Sequence, residues 1–173
     1  MFLKVASSIA IVVCCTLLGM HMAFRYKQRI YNIRVLQSIL ANLETEIVYY
    51  STFLSQAIRN SIKALDGDWK TFFAEVADIL ENKKEYSLTE TWAKSLNKIQ
   101  KSPYIGKVEL DIMYRFGLQL GSSDKLNQQK YFKIVQQQLK TEEENARQLH
   151  LRYGKMYRSL GLLLGLGIAI ILF

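Results

Sequence analysis

The stretch VASSIAIVVCCTLLGMHMAF at residues 5–24 carries no charged side chain, and SLGLLLGLGIAIILF at residues 159–173 carries none either. A basic collar borders each on its inner side. Arg25, Lys27, Arg29 and Arg34 follow the first with no acid before Glu44, and Arg147, Arg152, Lys155 and Arg158 precede the second with no acid after Glu144. Cytoplasmic flanks of membrane helices carry the excess of Lys and Arg. These eight residues therefore read as topology determinants of a two-pass hairpin, with everything between about residues 25 and 158 in the cytoplasm and both termini on the other side. A spanning helix needs roughly 20 apolar residues, with a lower limit near 17. Residues 5–24 meet that length, and residues 159–173 reach it if Met156 and Tyr157 enter the interface or the bilayer thins locally.

A cleaved signal peptide is the rival reading of the first stretch, with Lys4 as its basic region and Ala23 at the cleavage site. Three features oppose it. The apolar run exceeds a usual signal core, His21 lies two residues before Ala23, and the dense collar just beyond would resist translocation. The only cysteines, Cys14 and Cys15, are neighbours within this stretch. On one helix they point about 100° apart and cannot form an ordinary disulfide with each other.

The net charge of +8 and pI near 9.5 raise the question of nucleic acid. Setting aside Lys4 and the eight collar residues leaves 14 basic against 15 acidic side chains. The basicity thus belongs to the membrane boundary, where each cation near anionic lipid contributes about 1 kcal/mol. No nucleic-acid partner is expected, and membrane lipid is.

The intervening sequence has a single proline, Pro103, and apolar residues spaced by threes and fours. The series Ile33, Leu36, Leu40, Leu43, Ile47, Tyr50, Leu54 predicts a long amphipathic helix continuous with the first membrane segment. Ser51 and Thr52 offer an N-cap for a short helix through Ala57, Ile58 and Ile62, and Asp66-Gly67-Asp68 ends it and caps the next. That next helix is expected to bury Trp69, Phe72, Phe73, Val76 and Leu80. Ser87 with Glu90 predicts a capping box ahead of Trp92, Leu96 and Ile99, and Ser102-Pro103 stops that helix. A further helix runs through Val108, Ile112, Phe116 and Leu120 to a Gly121 cap, and a last one begins near Lys125 and continues into the second apolar stretch. The expected fold is all-α. A cytoplasmic antiparallel bundle of about six helices, residues 25–158, is flanked by transmembrane helices at residues 5–24 and 159–173.

Signatures of catalysis are few. The sequence has neither a Walker A loop nor a dinucleotide Gly-rich turn. His21 and His150 have no second ligand at helical spacing, so neither metal nor cofactor is expected. Glu44 and Glu46 lie on opposite edges of the seam and Glu142 to Glu144 fan around a helix, whereas paired-carboxylate hydrolysis needs two groups converging on a substrate. No catalytic residue and no enzyme activity are expected. Gly161-x-x-x-Gly165, followed by Gly167, gives the second apolar segment a small face on which backbones can approach, and Ala6-x-x-x-Ala10 does the same for the first. Helix pairing is the favoured reading, with the composition of an apolar helix as the alternative. Pairing within one chain and pairing between copies in a homo-oligomer are both compatible with it.

Leu40-Ala-Asn-Leu43-Glu44-Thr-Glu46-Ile47-Val-Tyr49 with Leu54 and Ala57, then Trp92-Ala-Lys-Ser95-Leu96, then Arg115-Phe116-Gly117-Leu118-Gln-Leu120-Gly121-Ser-Ser-Asp124 with Gln128-Gln129, resembles the stage III sporulation protein AB family of endospore-forming bacteria. Ser159-Leu160-Gly161 before a short apolar tail fits as well, so the resemblance spans essentially the whole chain. It implies a cytoplasmic helical domain similar to the platform (F) protein of type II secretion and type IV pilus machines. It also implies a place in the mother-cell to forespore channel complex, in the outer forespore membrane with the body in the mother-cell cytoplasm. The implied partners are a secretion-type ATPase, stage III sporulation protein AA, and other stage III sporulation membrane proteins. One departure stands out: family members often carry glycine and proline in the turn after the Tyr49 position, where this chain has Tyr50-Ser51-Thr52-Phe53, so the bend there could be slight.

The leading functional expectation is a non-enzymatic membrane platform subunit. The alternative is a membrane-tethered helical scaffold that recruits a signalling or division regulator. If the helix leaving the membrane at Arg25 runs to Tyr50, it carries the chain about 38 Å from the bilayer before the last helix returns. Tyr49, Tyr50, Ser122, Ser123 and Asp124 would then gather at a membrane-distal tip with Gln128 and Gln129 one turn back, as a candidate partner-binding surface.

Overall fold

The computed structural model describes the backbone of residues 2–82, 87–120 and 125–172 and, among these, the side chains of all but residues 2–6, 8, 125, 126 and 172. The expected Gly121 cap and the candidate partner residues Ser122, Ser123 and Asp124 lie outside the described residues. Among those described, every regular element is a helix: α1 (Phe2–Glu44), a π-helical turn (Thr45–Tyr49), α2 (Leu54–Ile62), α3 (Asp68–Asn82), α4 (Leu88–Ile99), α5 (Lys107–Leu120) and α6 (Lys125–Leu172). The chain divides into two compact units, one of Met1–Ile30 with Asn145–Phe173 and one of Tyr31–Glu144.

The first unit pairs the start of α1 with the end of α6. Both segments are long and apolar enough to cross a membrane, and they turn their apolar side chains outward, as Leu18 at 66% and Ile171 at 85% exposure illustrate. A buried core helix of a soluble protein would not do so. Backbones meet where side chains are missing. A Cβ added at Gly161 would lie 2.7 Å from Cys15 O and 3.2 Å from Gly19 Cα, and one at Gly165 would lie 2.9 Å from Val12 Cα. Gly167 faces open space, and Ala10 is exposed. The α1 side of the contact is thus Gly19 with the backbone of Val12 and Cys15. Above it the Tyr26 ring stacks between Tyr153 and Tyr157, with centroids 6.1 and 6.0 Å apart.

The second unit is a helical bundle around an aromatic core. Trp69, Phe72, Phe73, Trp92 and Phe116 are all buried, as the helical spacing predicts, whereas Leu80 is only half-buried and Val108 is exposed. The rings form one connected file from α3 through α4 and α5 to α6. Phe72 meets Trp92 edge-on at 5.0 Å, Trp92 lies 5.7 Å from Phe116, and Phe116 lies 5.1 Å from Phe132. Such pairs contribute about 0.5–1.5 kcal/mol each beyond the area they bury. Leu36, Ile39, Leu40 and Leu43 of α1 are buried as well, all with 0% exposure.

Local chemistry sets the ends of these helices. Gly67 takes φ +113°, a backbone open to glycine, and so separates α2 from α3. Ser87 Oγ accepts from the Glu90 N–H while the Ser87 N–H donates to Glu90 Oε2, the reciprocal capping box that the sequence predicts for α4. The expected N-cap of α2 at Ser51 and Thr52 is not what forms. The cap position is Phe53, without a side-chain hydrogen bond, because Thr52 turns its hydroxyl to Glu46 instead, 2.8 Å from Oε2.

Candidate interaction surface

The corner between α1 and α2 is built by a change of helical pitch. The Tyr50 N–H donates to Thr45 O across five residues at 3.2 Å, the hydrogen bond of a π turn. That pitch adds one residue to the turn and rotates everything after it. The apolar seam that runs through Leu36, Leu40 and Leu43 therefore continues at Val48, which is buried, while Ile47 is only partly covered. Tyr50, the next seam position by sequence spacing, is turned out to 71% exposure.

Ser51 then takes φ 53°, the left-handed conformation that glycine usually supplies after a helix. The Thr52 N–H reaches back to Glu46 O at 3.0 Å and closes the corner. The turn is thus a full break in the helix, made with serine where glycine is the usual residue after a helix.

Three rings stand on this corner, Tyr49 at 67%, Tyr50 at 71% and Phe53 at 87% exposure. Phe53 was not among the candidates the sequence offered. Helical spacing draws attention to Leu54, and the signal for Phe53 is its closeness to a Tyr-Tyr pair within a turn. Arg34 pairs with Glu143 at 2.6 Å and Gln136 donates to Gln37 O at 3.1 Å, so α1 and α6 run antiparallel in this unit. The same register carries residues 45–50 toward the start of α6, where Gln128 and Gln129 lie. Gln128 has a structural task, since its Nε2 donates to the α5 carbonyl of Leu120 at 3.3 Å, while Gln129 is half-buried.

An open groove of about 570 Å³ between α1 and α6 is lined by Gln37, Glu44, Lys133, Gln136, Lys140 and Glu143. Burial pushes the Glu44 carboxyl above its ordinary value, and Lys133 pulls it partly back. The remaining acids are mostly engaged at the surface: Arg59 of α2 binds both Asp78 and Glu81 of α3, Lys98 binds Glu75, and Arg115 binds Asp111. Among the described residues no group of three or more His, Cys, Asp or Glu could hold a metal ion.

A family model of stage III sporulation protein AB matches residues 4–173. The Bacillus subtilis (strain 168) protein named stage III sporulation protein AB is 34% identical over 170 residues, covering 98% of this chain and 99% of its own. The chain belongs to the stage III sporulation protein AB family. A solved structure of stage III sporulation protein AB superposes with a TM-score of 0.66 at 32% identity, covering 71% of this chain and 96% of the other. Two of the runs that carry the family resemblance meet in space. The Trp92 indole of α4 lies directly over Gly117 of α5, where an added Cβ would overlap the ring, and its N–H donates to Met113 O at 2.8 Å.

Proposed function

We propose that this stage III sporulation protein AB family member is a two-pass, non-enzymatic platform subunit of a sporulation membrane complex. Its Tyr31–Glu144 unit faces the mother-cell cytoplasm and binds a secretion-type ATPase similar to stage III sporulation protein AA. The observation that carries the reading is the corner of Tyr49, Tyr50 and Phe53. Three exposed rings on a backbone held by a π turn and a left-handed serine form a surface suited to a protein interface, where aromatic residues are enriched. The two apolar terminal helices with their basic collars support the hairpin topology, with residues 5–24 and 159–173 as the spans and residues 25–158 as the cytoplasmic part.

The test is capture of the ATPase-like protein from the same genome by full-length protein in detergent. Tyr50→Ser combined with Phe53→Ser should reduce capture at least tenfold and leave the melting curve unchanged. Undiminished capture would move the interface away from the corner.

A further inference from the structure

Within the first unit a cleft of about 440 Å³ opens between α1 and α6 beside the glycine contact. Its walls are mixed. Met20, Phe24 and Leu162 line it on the apolar side, and Lys27, His150 and Arg158 supply the polar groups. Thr16 also borders it, but its hydroxyl is already used on Val12 O at 2.8 Å.

The cations of the cleft differ from most others in the collars. Arg34 is held by Glu143, Arg152 lies over the Tyr153 ring at 5.5 Å, and Arg29 and Arg147 have partners of their own. Lys27 and Arg158 make no ion pair among the described residues. His150 adds a buried Nδ1 with no protein hydrogen-bond partner, its ring lying against Gly154. Two uncommitted cations and an imidazole ring beside an apolar wall call for a ligand with an anionic head and a hydrocarbon tail.

We propose that this cleft binds one anionic phospholipid, with its phosphate between Lys27, His150 and Arg158 and an acyl chain along Met20, Phe24 and Leu162. The proposal rests on the membrane reading of the two terminal helices. Contact positions Gly19 and Gly161 set the register, which places Lys27 and His150 toward one end of the cleft and Arg158 deeper, where a long guanidinium side chain can reach up to a headgroup. Basic pockets between membrane helices recognise such headgroups, beyond the general attraction of a basic collar to an anionic surface.

Native mass spectrometry of the full-length protein released from nanodiscs tests this, with discs of phosphatidylglycerol or phosphatidylcholine. The expected result is one retained phosphatidylglycerol and no retained phosphatidylcholine. Lys27→Gln with Arg158→Gln should lower retention at least fivefold, while Arg25→Gln with Lys155→Gln, which removes the same charge, should leave it within twofold. Equal loss in both double variants would overturn the site in favour of diffuse attraction. Saturation by inorganic phosphate at the concentration that displaces the lipid would overturn the lipid as ligand. Failure of the chain to enter discs of either composition would refute the membrane reading itself and the site with it.

Discussion

Gly117→Ala is the most demanding test of the packing. In a helix interior alanine is better than glycine by about 1 kcal/mol, so propensity alone predicts a more stable protein. Packing predicts the reverse. The new methyl would overlap the Trp92 indole, and that ring cannot simply retreat, because Phe72, Phe73 and Phe116 hold it at centroid distances of 5.0, 5.7 and 5.7 Å. Overpacking of a filled core costs about 1–3 kcal/mol. If the indole tilts instead, its N–H leaves Met113 O, and an unsatisfied buried donor costs about 1–3 kcal/mol more. With both costs present the balance is a net loss of about 1–5 kcal/mol. For a domain near 100 residues that lowers the melting midpoint by roughly 4–20 °C. The assay is thermal unfolding of the full-length protein in detergent, followed by near-ultraviolet circular dichroism and tryptophan fluorescence. Trp92→Leu in the Gly117→Ala background should recover at least about 1 kcal/mol of the loss, as expected for residues in contact. A midpoint equal to or above that of the parent would refute the seating of the indole on Gly117.

Three further outcomes are expected. Ser51→Gly relieves a left-handed serine and should stabilise the protein by about 1 kcal/mol, read as a higher denaturant midpoint; a lower midpoint would mean that the corner does not need that backbone. Arg59 holds the Glu81 carboxyl below its ordinary value, so its support is present above the unfolded carboxylate range and fades as pH falls through the lowered value. Arg59→Ala should accordingly flatten the acid side of the stability profile at low salt and change little at high salt, and an unchanged slope would exclude the pairing. In a chain lacking Cys14 and Cys15, a cysteine at Lys63 should resist a membrane-impermeant thiol reagent applied to intact cells while one at Phe173 reacts, and labelling at position 63 would end the hairpin topology.

Legibility from sequence tracked how local the deciding interaction was. The capping box at Ser87, the glycine turn at Gly67 and the aromatic faces of α3, α4 and α5 each depend on residues within one or two turns, and the spacing reveals them. The π turn depends on a single extra residue of pitch. Ile47 and Val48 are both β-branched and apolar, so the pattern reads equally well with either inside, and only the fold chooses Val48. That choice also exposes Tyr50 and presents Phe53. Long-range partners are similarly silent: Arg34 finds Glu143 across 109 residues, and nothing in the collar pattern distinguishes it from the cations that stay uncommitted.

The glycines divide the molecule by solvent. Gly117 makes room for a ring, and what drives that ring inward is its removal from water, the force that builds the whole aromatic file of the second unit. Gly19, Gly161 and Gly165 make room for backbone, which is the means of attraction left when the surroundings are as apolar as the side chains. In hydrocarbon, leucine gains nothing by turning inward, so the first unit leaves Leu17, Leu18 and Leu163 facing out and closes on its smallest residues. The same outward leucines in water would be an aggregation surface. One chain thus uses glycine to opposite ends in its two units.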